Sequence, residues 1–65
     1  MINVRPNINL AGSYTSTQAA RLLEIDRKTL YNHARDGSVK FTLNRMAQKR
    51  FKGSELMRYW ASMML

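Results

Sequence analysis

Residues 14–41 read YTSTQAARLLEIDRKTLYNHARDGSVKF, and this stretch decides the fold. Thr15-Ser16-Thr17-Gln18 matches a capping box, with Thr15 at the N-cap and Gln18 reaching back; Ser16, one residue on, is the rival cap. Ala19, Ala20, Leu22 and Leu23 follow with helical spacing, which predicts a first helix over about residues 16–24. The paired alanines leave room for another helix to lie close. Glu24-Ile25-Asp26 is a tight turn, in which Ile25 packs down as a staple and the Asp26 carboxylate caps the next helix. That second helix runs to about residue 36, where Gly37 stops it because glycine takes positive φ freely. Leu30 and Ala34, four apart, are its buried positions, and His33 sits at the core edge. Two short helices joined by about three residues make a helix-turn-helix.

Outward from this unit the periodicity changes. Val39, Phe41 and Leu43 alternate with Lys40 and Thr42, the pattern of a half-buried strand. Residues 44–47 are polar enough for a hairpin loop. Residues 48–52 form a second strand, with Phe51 inward and Arg50 and Lys52 outward. Gly53-Ser54-Glu55 opens a third helix, where Glu55 suits the positive helix end. Its apolar stripe is Leu56, Tyr59, Trp60 and Met63, which reads as core rather than as a stacking platform. Met57, Met64 and Leu65 fall off that stripe as surplus apolar surface, read either as a contact for a partner or neighbouring copy or as a frayed end. Residues 1–13, rich in Asn and carrying Pro6 and Gly12, show no period and read as a flexible arm, with room for a short extended piece around Ile8 to Leu10. The predicted fold is mainly α with a small two-stranded antiparallel wing: a winged helix-turn-helix over residues 14–65.

Sixty-five residues hold one domain with a thin core. The chain has no Cys and a single His, so neither disulfides nor a metal site are expected. Eleven Lys and Arg against four Asp and Glu give a net charge of +7, which favours a polyanion. The excess is local: residues 1–37 carry net +2 and residues 38–65 net +5. Residues 40–52 hold five cations and no acid. No apolar run is long enough to span a membrane and no signal peptide is evident, so a cytoplasmic location on DNA is expected. The four carboxylates fall at turns and helix ends, and no Ser/His/acid set or Gly-rich phosphate loop occurs. We therefore expect no catalytic residue, no cofactor and no enzymatic activity.

The same residues carry a family resemblance. Thr17, Ala19-Ala20, Leu23, the Ile25-Asp26 turn, Arg27 to Tyr31 and Asp36-Gly37 stand in the order found in the small winged-helix domains of phage and transposon excisionases and of MerR regulators. The stretch RFKGSELMRYW, residues 50–60, resembles the second wing strand leading into the closing helix. The likeness covers about residues 14–62. The wing loop departs from the pattern, with Arg45-Met46 and no Gly. MerR regulators continue into a dimerisation helix and an effector domain, neither of which is expected here.

A helix of this kind fits the major groove, where base edges are distinct. Asn32 and Arg35 are the candidates for base contact, because Asn pairs with adenine and Arg with guanine. Arg27, Lys28, Thr29 and Tyr31 are assigned to phosphates, and Thr17 to a phosphate at the first helix start. On the wing, Arg45 is assigned to a minor groove and Lys40, Lys49, Arg50 and Lys52 to flanking phosphates. Met46 is read either as an idle loop residue or as a wedge into a base step. The resemblance implies an excisionase-like factor that binds repeated sites; with no long apolar helix or heptad pattern for a dimer, cooperative self-contacts between copies on DNA are expected. The factor would bend double-stranded DNA and assist a tyrosine or serine integrase in excising a mobile element. A small transcriptional repressor and a DNA-packaging or replication adaptor are the alternatives, since each would use the same surface.

Overall fold

The capping box at Thr15 sets the first helix. In the computed structural model, which describes residues 3–64, the Gln18 N–H donates to Thr15 Oγ1 at 3.2 Å. The Thr15 N–H donates to Gln18 Oε1 at 3.0 Å, so two otherwise orphaned donors are satisfied reciprocally. Helix α1 spans Ser16–Leu23 and ends on Glu24, which takes the left-handed conformation at φ 54. Helix α2 spans Arg27–Asp36 and ends on Gly37 at φ 90. Ser38 completes that terminus: its N–H donates to the His33 carbonyl at 2.9 Å and to Asp36 Oδ1 at 2.8 Å. Asp26 occupies the N-cap position of α2, but its side chain makes no capping hydrogen bond. It stands exposed, where water competes for the carboxylate.

The core gathers Leu23, Leu30, Val39, Phe51, Leu56 and Tyr59, all fully buried. Each large side chain of this kind stabilises by about 1.5–3 kcal/mol. Ala19 and Ala20 are buried where α1 meets α2, and Ile25 packs against the cluster from the turn. The closing helix α3 spans Gly53–Met64. Leu56 and Tyr59 anchor it, with Trp60 partly buried beside them. Two positions differ from the expected stripe. Met63 is 49% exposed, whereas Met57 packs on the core. Leu65 and the Met64 side chain, assigned to a partner contact, lie outside the described residues.

The sheet departs from expectation in two ways. Strands β1 (Ser13–Thr15), β2 (Thr42–Leu43) and β3 (Lys49–Lys52) form a three-stranded antiparallel sheet in the order β1-β3-β2, so the hairpin gains a third strand from just ahead of α1. Tyr14 pairs with Phe51 and Thr42 with Arg50. The alternation Val39, Phe41, Leu43 does not run through one strand. Val39 enters the core from a loop, while Phe41 is 36% and Leu43 59% exposed, because β2 begins only at Thr42 and extends beyond the core.

The segment ahead of β1 is folded, not a loose arm, from Pro6 to Gly12. Ile8 joins the core. The Asn9 N–H donates to the Tyr14 hydroxyl at 2.9 Å. The Gly12 and Leu10 carbonyls accept from the Gly53 and Ser54 N–H groups at 2.9 and 3.1 Å, capping the start of α3. Gly53 permits that approach, since a Cβ there would lie 1.9 Å from the Asn9 carbonyl oxygen.

Candidate nucleic-acid interface

The start of α1, one face of α2 and the inner face of the hairpin converge on a cleft lined by Thr17, Arg27, Tyr31, Ala47, Gln48 and Lys49, among others. Arg27 Nη1 donates to Thr17 Oγ1 at 3.3 Å, tying the first turn of α2 to that of α1. Arg27, Tyr31 and Arg35 recur every four residues, so they share one stripe of α2. Arg35 and Tyr31 line a second groove with Phe41 and Lys49. Lys49 joins helix and wing: its Nζ lies 5.1 Å from the Tyr31 ring centroid and 5.3 Å from that of Phe41. Two negative ring faces hold the ammonium where a flexible lysine would otherwise roam.

Lys28, Asn32 and Arg35 are exposed on α2, and Thr29 is half-buried. Arg45 is exposed at the hairpin tip. Phe51 turns inward, so the pleat sets Arg50 and Lys52 on the face opposite Lys49; together with Lys40, from the loop ahead of β2, they line a hollow with Phe41, Thr42 and Glu55. There Arg50 is tethered to β1, its Nε donating to Ser13 Oγ at 3.2 Å and its Nη2 to the Ser13 carbonyl at 3.4 Å. The wing thus carries cations on both faces. The ion pair Arg58–Glu55, at 2.6 Å, lies apart from the cleft. The Arg58 hydrogen bond lowers the Glu55 carboxyl below its ordinary range, and Lys40 adds to the effect.

Two contributors to this surface escaped sequence reasoning. Phe41, assigned to the core, braces Lys49 from the surface. Asn44 shapes the hairpin tip, its Oδ1 accepting from the Met46 and Gln48 N–H groups at 2.9 Å each. Ala47 supplies the left-handed residue, φ 58, at the place where such a loop ordinarily uses glycine. The signal for Asn44 was its type, since Asn bonds backbone two residues on in turns.

Residues 13–64 match the family model of the helix-turn-helix domain. The chain belongs to that family. This helix-turn-helix protein is a DNA-binding protein, of a family found in excisionase-like proteins. Its three helices and antiparallel sheet form a winged helix-turn-helix. Neither the curated proteins nor the solved structures contain a significant match. Among the described residues, no helix is long and apolar enough to cross a membrane.

Proposed function

We propose that the protein is an architectural factor of the excisionase type. It binds duplex DNA with α2 in the major groove and the wing on the flanking backbone, and bends the site so that a tyrosine or serine integrase excises a mobile element. Asn32 and Arg35 read bases. Thr17, Arg27, Lys28, Thr29, Tyr31 and Lys49 grip phosphates, Arg45 enters the minor groove, and Lys40, Arg50 and Lys52 meet phosphates from the outer wing face. Copies load side by side on repeated sites.

The observation that best supports this reading is Lys49 seated between Tyr31 and Phe41. It makes the helix and the wing one continuous cationic surface. Neutralising phosphates along one side of a duplex lowers the cost of bending toward that side, and the added contacts offset the deformation. The test is an excision assay with a tyrosine or serine integrase and its attachment sites, with and without this protein, alongside a circular-permutation bending assay. Excision that depends on the protein and on bent DNA is expected. Excision that proceeds equally without it, on DNA left straight, transfers the reading to a repressor.

A further inference from the structure

The tip of the wing combines a stiff frame with an unburied apolar side chain. Asn44 fixes residues 44–48: beyond the two bonds to its Oδ1, its Nδ2 donates to Gln48 Oε1 at 3.0 Å. The Asn44 N–H donates to the Gln48 carbonyl and the Ala47 N–H to the Asn44 carbonyl, each at 3.0 Å. A loop so bonded has little entropy left to lose on contact with a partner. From this frame Met46 projects at 77% exposure, the highest of any large apolar side chain among the described residues. One exposed methionine is ordinary. Its surroundings are not: Ala47 and Gln48, directly after it, line the cleft with Arg27 and Tyr31, and Arg45 stands exposed on its other side.

We infer that Met46 is a wedge, inserted from the minor groove between two stacked base pairs beside the segment that α2 reads, with Arg45 holding the tip in that groove. The inference rests on the architectural reading above and names the residue that produces the bend. A thioether on an unbranched chain suits the narrow gap between base planes, and its polarisability favours contact with their faces. Partial unstacking by an apolar wedge kinks a duplex by about 20–90°. The step entered is a pyrimidine–purine step, because those unstack most readily. Charge complementarity selects the occupant: Arg45 stands exposed beside the apolar tip, and Arg27 and Lys49 line the cleft that Ala47 and Gln48 enter, as suits a groove walled by phosphates.

The experiment uses the full chain and a duplex selected by it from a random pool. Bend angle is read by circular permutation, and unstacking by the fluorescence of 2-aminopurine placed at the wing step. Met46→Ala leaves every hydrogen bond of the tip intact, because Met46 contributes only its backbone N–H, and a melting curve matching the parent checks this. Expected are a bend reduced by half or more, lost 2-aminopurine signal, and affinity about tenfold weaker on the intact duplex. On the same duplex nicked at that step, where unstacking costs less, Met46→Ala binds within about twofold of the parent. Met46→Leu keeps the bend. A Met46→Ala chain that bends and unstacks DNA as the parent does overturns the wedge and leaves the architectural reading standing. A parent that binds its selected duplex without bending it overturns both.

Discussion

Lys49 Nζ stands 5.1 Å from the Tyr31 ring centroid, so the wing touches the second helix through a cation on an aromatic face. A double-mutant cycle of Tyr31→Ala and Lys49→Ala should return a coupling of about 0.5–1 kcal/mol in urea unfolding. Additive losses would mean that the two side chains do not hold each other.

DNA titrations should separate reading from gripping. Asn32→Ala or Arg35→Ala is expected to cost about 1–3 kcal/mol at the selected site and to relax preference there. Lys49→Ala should weaken selected and random duplexes alike and lower the salt slope by about one. Arg50 is tethered to Ser13 on the outer wing face, so Arg50→Ala should weaken binding less than Lys49→Ala does. The reverse order would assign the outer face to the main contact.

Among the described residues, two non-glycine residues hold left-handed backbone, Glu24 at φ 54 and Ala47 at φ 58. Ala47→Gly and Glu24→Gly should each stabilise the fold by up to about 1 kcal/mol, offset in part by the greater freedom of glycine in the unfolded chain. Thermal melts of the single variants check this. An unchanged or lower melting temperature would show that the entropic loss dominates.

Opposite pH limbs are expected from Asp36 and Tyr59. The Ser38 hydroxyl and N–H both donate to Asp36 and lower its pKa. The folded state therefore binds that proton less readily than the unfolded one. The stabilisation is present above the ordinary aspartate value of about 3.9 and is lost as pH falls through the lowered one. Tyr59 moves the other way, raised first by burial and then by the charge of Asp36. Its contribution is present below the ordinary tyrosine value of about 10 and is lost as pH rises through the raised one. Melting temperatures across pH should show Asp36→Asn flattening the acid limb and Tyr59→Phe the alkaline limb. No described protein group accepts from the Tyr59 hydroxyl, so near neutral pH Tyr59→Phe should stay within about 1 kcal/mol of the parent.

Ile8 and Gly53 should be costly to change although neither lies in the helix-turn-helix. Ile8→Ala removes a core side chain and should cost about 2–5 kcal/mol, toward the lower end because it sits at the core edge. Gly53→Ala forces a Cβ against the Asn9 backbone and should cost about 1–3 kcal/mol. A Gly53→Ala melt equal to the parent would mean that residues 6–12 shift aside freely.

The parts legible in the sequence were those specified by neighbours along the chain. The Thr15–Gln18 box, the Gly37 stop and the pair Leu30 and Ala34 each need only a few residues to declare themselves. What escaped depended on distant partners. Ser13-Tyr14-Thr15 is too short to show a period and becomes a strand only because Phe51 lies across from Tyr14. Ile8 and Leu10, alternating with asparagines, do not say which of them is buried until Ile8 packs beside Gly53 at the start of α3. The outward turn of Arg50 and Lys52 was legible from the alternation around Phe51, but that Lys49, on the other face, meets Tyr31 and Phe41 depends on how the hairpin packs against α2.

The family match begins at residue 13, yet the folding unit begins earlier, where Pro6 and Ile8 are buried and the carbonyls of Leu10 and Gly12 cap the closing helix. The transplantable module is therefore longer than its recognisable motif. A graft of this reading head onto another protein, cut at the motif boundary, would leave the first N–H groups of the closing helix bare and a hole beside its first turn. Carried from Pro6 onward, the same head would arrive with its own lid.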